Sequence, residues 1–224
     1  MRMTRRTPPR RAALVAALAG VAMLAGLRCT AQQSTPKVLT PYTTCYFPDG
    51  LTVASADSLS LDEAARTVET ADGSQHIDPE TSEQVMFAYP FTDFFANVKV
   101  EELPVAQYPA LKKILLANLE YLGRKTPNIL ANDALPANLH GFEVHGHDLE
   151  RLESSVLGMY VLFDDASHVV TTVFFLNQES WRRKFQTMGE YRTLRDHFLT
   201  TYTGCVRENQ AITKPAAKAG AKRR

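Results

Sequence analysis

The densest group of ligand-type side chains in the sequence is His140-Gly141-Phe142-Glu143-Val144-His145-Gly146-His147-Asp148. Alternate residues of a strand share a face, so Glu143, His145 and His147 fall on one side and Phe142 and Val144 on the other. A carboxylate and two imidazoles on one face are candidate ligands for zinc, copper or manganese if another element supplies a fourth. A metal-dependent enzyme or hydrolase using this strand is the catalytic reading of the chain. The plainer reading puts Phe142 and Val144 in a core and leaves the three polar residues on the wet face of a sheet. His140 and Asp148 have the wrong parity to join the set, and His76, His168 and His197 lie in or near a turn, in a turn and on a helix. A tight metal site is therefore not expected, and no cofactor is implied.

Other chemistry is thinly signalled. The sequence has no Gly-x-Ser-x-Gly, no phosphate loop and no Gly-x-Gly-x-x-Gly. The acid pairs Glu101-Glu102, Asp164-Asp165 and Glu150 with Glu153 fall in strand ends, turns and linkers, where solvated carboxylates are expected; a catalytic pair needs a cleft. Trp181-Arg182-Arg183-Lys184 reads as a capping loop with an anion-contacting alternative. The aromatic run Phe87, Tyr89, Phe91, Phe94 and Phe95 reads as core or sheet cover, with an apolar pocket as its alternative.

Charge and cysteines bear on compartment. Arg2, Arg5, Arg6, Arg10 and Arg11 precede the apolar run from Ala12 to Leu27, and Cys29-Thr30-Ala31 ends in a small residue. This is the pattern of a signal peptide over residues 1–31, cleaved before Gln32, which implies a secreted or periplasmic protein. A lipoprotein or an uncleaved anchor is the lesser alternative, because the cysteine stands late behind Arg28 and the run is short for a span. No transmembrane segment is expected in the mature chain. Cleavage removes six basic residues and no acid, leaving 19 bases against 24 acids, a net charge of −5. Without a basic stripe interleaved with aromatics, a specific nucleic-acid partner is not expected. Cys45 and Cys205 remain, an even pair that suggests a disulfide in an oxidising compartment. Closing so long a loop contributes up to about 5 kcal/mol in the chain-entropy picture.

The elements that must position these residues follow from periodicity. Residues 32–206 read as a single domain, and 207–224 as a disordered basic tail too poor in apolar residues to fold. The N-terminal part, 42–100, is β-rich. A hairpin is expected over Thr43 to Val53 around Pro48-Asp49-Gly50, a short helix over Leu59 to Ala65 with Ser60 as cap, and a second hairpin turning at Asp72-Gly73. Val85 to Tyr89 and Phe94 to Val100 read as one long or interrupted strand broken near Pro90. Leu111, Leu115, Leu119 and Leu122 mark the buried stripe of a helix over 109–122, with Gly123 as its C-terminal cap. A three-strand meander spans 141–178. Its apolar residues, Val161 to Phe163 and Val169 to Leu176, occupy both parities, so both faces need cover. The last helix covers 187–203, opened by a Thr187/Glu190 capping box and stopped at Gly204.

Strands, helix, three strands, helix make an α+β domain, a largely antiparallel sheet with helices packed on it. From Phe94 to Val206 this order, with the meander from Val144 to Leu176 and the Phe198-Leu199 pair of the following helix, resembles the PsbP and DcrB group of α/β/α sandwiches. The resemblance implies an exported accessory or binding protein and carries no catalytic residues over. The expectation is an exported, non-catalytic binding or accessory protein of the bacterial envelope, its partner an envelope component or a small ligand.

Overall fold

The structure, a computed structural model, describes residues 41–47, 50–70, 73–89, 92, 94–125, 129–130, 135, 138–149, 156–177 and 185–213. The leader (1–31), Pro48-Asp49, Phe91, Glu150, Glu153, the Trp181 to Lys184 stretch and the tail from 214 onward lie outside them. Along the chain come β1 (Thr52–Ser58), α1 (Leu61–Ala64), β2 (Arg66–Thr70), β3 (Gly73–Ile77), β4 (Thr81–Ala88), β5 (Phe94–Glu102), α2 (Tyr108–Lys125), β6 (Ile129–Leu130), β7 (Asn138–Leu139), β8 (Phe142–Leu149), β9 (Val156–Asp164), β10 (Val169–Asn177) and α3 (Met188–Thr213).

Among the described residues, eight strands form one antiparallel sheet in the order β1-β4-β5-β10-β9-β8-β6, with β7 also paired to β8; β2 and β3 form a separate hairpin. The class is α+β, as the element order requires. The doubly apolar strands β9 and β10 are interior, because only a strand covered on both faces can bury both of its parities. On one face Val144, Leu162, Val173, Val98 and Phe87 meet α3 through Phe198, Leu199, Tyr202 and Val206. On the other, Val161, Phe163 and Val170 meet α2 through Tyr108, Leu111 and Leu119, with Ile77 of β3 beside them. Phe198 is the hub of the first face, stacked on Phe47 at 4.8 Å and edge-on to Phe175 at 5.2 Å. Truncating such a side chain to alanine costs about 3–5 kcal/mol.

Several boundaries differ from the sequence reading. Residues 44–47 form no strand, and β1 pairs with β4 rather than with a partner before Gly50. The break near Pro90 is a reversal: β4 and β5 are antiparallel neighbours, with Phe95 opposite Ala88. Both helices run through the glycines expected to end them, α2 to Lys125 and α3 to Thr213. The same reason holds twice. A β-carbon on Gly123 would stand 3.0 Å from the His147 ring, and one on Gly204 3.3 Å from the His140 ring. Each glycine lets a histidine approach the helix, a use indistinguishable in sequence from a cap. Residues 207–213 are consequently helix rather than tail. The second hairpin is present as β2 and β3, with Thr70 opposite Gly73 and Gly73 at φ +119°, Asp72 lying outside the described residues, and α3 opens with the Thr187 hydroxyl accepting from the Glu190 N–H at 3.1 Å.

Candidate functional site

Strand β8 carries the histidine cluster and splits as the parity requires, with Phe142 and Val144 buried under α3 and Glu143, His145 and His147 on the opposite face. That face is not wet. It lies half-buried against α2, whose Lys112 donates to Glu143 at 2.6 Å and to both Asp165 oxygens at 2.8 and 2.9 Å. Glu143 also shares a 2.6 Å hydrogen bond with His145 Nε2, and Tyr108 donates to Asp165 at 2.6 Å. Lys112 and then His145 hold the Glu143 carboxyl below its ordinary range, and Lys112 does the same for Asp165. His147 turns away from this pair. Its Nε2 donates to the Leu119 carbonyl of α2 at 2.7 Å. The strand unites the three residues on one face, but the helix divides them between two sets of partners. Among the described residues no three His, Cys, Asp or Glu side chains are placed to hold a metal ion.

The carboxylates overturn a second expectation, since Glu101 and Asp164 are buried rather than solvated. Arg66 grips Glu101 at 2.6 and 2.9 Å, and Lys99 joins at 2.9 Å. Burial pushes the Glu101 pKa up, but Arg66 and Lys99 together outweigh it and hold the group low. Asp148 is buried too. It accepts from Arg195 at 2.5 Å, from Arg192 at 3.2 Å and from the Tyr160 hydroxyl, which is 2.7 Å from that of Tyr191. Gly158 leaves room for the two hydroxyls and Gly146 for the Tyr160 ring; a β-carbon at either would collide with them. Asp148 and Arg195 are each only 1% exposed, so the centre of this network is dry, while Arg192 and Asp196, which Arg195 meets at 2.8 Å, carry its outer side toward solvent.

Asp164, at the other end of β9, is held by a similar set of groups beside open space. Arg207 contacts it through two nitrogens at 2.6 and 3.1 Å, Tyr42 donates at 2.8 Å and Gln210 at 3.2 Å. Burial opposes ionisation of Asp164, yet these donors keep its pKa below the usual range. Next to it is a cleft of about 190 Å³ lined by Pro41, Tyr42, Thr81, Glu83, Val100, Glu102, Ser167, Val169 and Gln210. Its floor is the end of the sheet. Thr81, Glu102, Val169 and Asp164 form one rung across β4, β5, β10 and β9; Glu83, Val100 and Thr171 form a rung further in.

The wall formed by Pro41 and Tyr42 has no regular structure of its own and is held by α3. Cys45 pairs with Cys205 at a Cα–Cα distance of 5.7 Å, as the even cysteine count suggested. Asn209 donates to the Pro41 carbonyl at 3.0 Å, and Gln210 to the Tyr42 hydroxyl at 2.7 Å. The residues assigned from sequence to a disordered tail are thus the ones that fix the cleft. Only the cysteines hinted at it, since a disulfide partner four residues from Pro41 implies that this segment is anchored. The members of the aromatic run that are described, Phe87, Tyr89 and Phe94, are core, and Phe95 is half-buried.

Compared with family models, with curated proteins and with solved structures, the chain matches none.

Proposed function

We propose that this chain is an exported, non-catalytic binding protein of the bacterial envelope that holds a small ligand in the cleft at the end of its sheet. The observation that carries this reading is the construction of the cleft. One wall is strand ladder, and the other is a coil segment pinned to α3 by Cys45–Cys205, Asn209 and Gln210. Fixing a wall before the ligand arrives reduces the ordering cost of binding, and a cavity of this volume matches a ligand of roughly six to eight heavy atoms. The cystine supports export, because such bonds persist in oxidising compartments. No helix among the described residues is long and apolar enough to cross a membrane. The PsbP and DcrB resemblance belongs to the same proposal, supported by helices on both faces of an antiparallel sheet.

The test is a small-molecule screen by ¹H–¹³C NMR on the mature protein, run beside Thr81→Trp, which fills the cleft. Hits should shift the methyl signals of Val100 and Val169 in the wild type and not in the variant. Hits that bind both proteins equally would sink the assignment of the cleft. Fractionation of the native host, with N-terminal sequencing, checks export; material retaining Met1 in the cytosol would refute it.

A further inference from the structure

The covalent tie between the cleft wall and α3 is lopsided. Cys45 is only 5% exposed and sits in the core with Phe47, its Sγ 3.8 Å from the Tyr202 carbonyl oxygen and 4.0 Å from that of Pro41. Cys205 is half-buried and packs at the edge of that core. Thiol–disulfide exchange proceeds by attack of a thiolate on one sulfur while the other leaves, so access helps decide which sulfur is taken. A thiolate aimed at Cys45 has to enter the core and pass two carbonyl oxygens, whereas Cys205 still meets solvent.

A second, independent observation is Asn209, one helical turn beyond Cys205. Its side-chain amide nitrogen lies 3.5 Å from the Cys205 Sγ, 3.0 Å from the Pro41 carbonyl and 3.2 Å from the Thr44 hydroxyl. Two N–H bonds are thus shared among three acceptors, of which the bridged sulfur is the weakest. A Cys205 thiolate is a charged and far stronger acceptor, so freeing it draws the amide away from the wall. Residues 41–44 precede Cys45 and have no covalent tie of their own to α3. Without Asn209 they keep the Tyr42 contacts with Asp164 and Gln210, and the Thr43 hydroxyl on Glu83. Phe47, stacked on Phe198 at 4.8 Å, holds the far side of Cys45 in place, so loosening stops short of unfolding.

We infer that Cys45–Cys205 is a redox-sensitive tie on the cleft wall, entered at Cys205 by a dithiol. One thiolate of the dithiol bonds to the Cys205 Sγ as the bridge breaks, and Cys45 leaves and takes up a proton, its S–H then facing the Tyr202 carbonyl. The second thiolate attacks the dithiol-borne sulfur of the mixed disulfide and expels the Cys205 thiolate, which accepts from the Asn209 amide. Two electrons pass to the cystine, the dithiol becomes a disulfide, and its two protons go to Cys45 and to solvent. Residues 41–44 then loosen, and the cleft loses its preformed side. What that loosening means for a ligand rests on the binding reading above; the opening of the bond does not.

Glutathione, a monothiol, is added to the mature, disulfide-intact protein in mildly alkaline buffer without denaturant, and the product is acid-quenched, unfolded, alkylated and mapped. The adduct is expected on Cys205, with Cys45 alkylated. After reduction by dithiothreitol, amide exchange at residues 42–45 should be at least tenfold faster than in the oxidised protein, with β9 and β10 unchanged, and reoxidation should restore it. In Asn209→Ala that redox difference should shrink, because the wall is loose in both states. Glutathione on Cys45, or a bond that opens only when β9 and β10 exchange as well, would overturn the entry at Cys205. Equal exchange at 42–45 in the two redox states would overturn the coupling to the wall. The wild-type comparisons decide both points even where the variant does not fold. Neither uses a ligand, so their failure leaves the binding reading standing.

Discussion

Asp148 and Asp164 lie at opposite ends of the sheet face under α3, and each meets an arginine of that helix and a tyrosine hydroxyl. Their surroundings separate them. Arg195 is as buried as Asp148, and a second tyrosine and Arg192 complete the set. Arg207 is 28% exposed, and the groups beside Asp164 line a cleft. The same three residue types therefore form a closed pin at one end and the side of an open site at the other. What differs is who completes the packing. At the Asp148 end two glycines let tyrosines fill the space, and at the Asp164 end Tyr42 stands at the edge of a cleft that stays open.

The largest expected effect tests the closed end. Asp148→Ala takes from the buried Arg195 guanidinium its buried carboxylate and leaves it, among its described charged partners, only the half-exposed Asp196, and urea unfolding should show a loss of about 3–5 kcal/mol. Replacing both partners, as Asp148→Leu with Arg195→Met, should recover most of it, since an apolar pair carries no desolvation cost. A double variant as unstable as the single would mean that the ion pair itself supplies the stability. Next comes Cys205→Ala, expected to lose about 2–5 kcal/mol and to speed amide exchange at residues 42–45 relative to β9. Uniform exchange changes would show that the bridge does not act on the cleft wall in particular.

Asp164→Asn should cost less, about 1–2 kcal/mol, because Arg207 can turn to water. This end also has a pH signature. Asp164 is more acidic folded than unfolded, so its contribution is complete above the unfolded value of about 3.9 and fades as the pH falls through the lower folded value. The stability gap between wild type and Asp164→Asn should therefore close in acid; a gap that persists unchanged there would contradict the pairing. The smallest effect is expected at the open site itself. Glu102→Gln should shift stability by no more than about 0.5 kcal/mol, in either direction, while changing binding. A large loss of stability would make Glu102 a structural group rather than a ligand group.

Much of the fold was legible because it depends on periodicity. The doubly apolar parities of 161–163 and 169–176 required an interior position, the hairpin expected before Ile77 is there as β2 and β3, and the Thr187/Glu190 box opened its helix. The splitting of β8 into a core side and a polar side was legible for the same reason. Less of the candidate site could be read. Its floor joins Thr81, Glu102 and Val169, which are far apart in the chain and meet only through strand register. Carboxylates that read as solvated turned out buried because Arg66 and Arg207 arrive from distant segments, a circumstance that local composition cannot carry; only Lys99, two residues from Glu101 on the same strand, was near in sequence.

The sequence by itself determined the α+β class, the pairing of two cysteines left after an expected cleavage, and the parity on which each side chain of the meander stands. Those properties follow from local geometry and counting. The tertiary structure alone decided that Gly123 and Gly204 admit histidines instead of ending helices, and that residues 207–213 anchor a cleft wall. It alone also decided that one Asp–Arg–Tyr set is sealed and the other stands beside open space. The physical reason is that a glycine, a charge or a hydroxyl has several low-energy uses, and the neighbour brought by the fold selects among them.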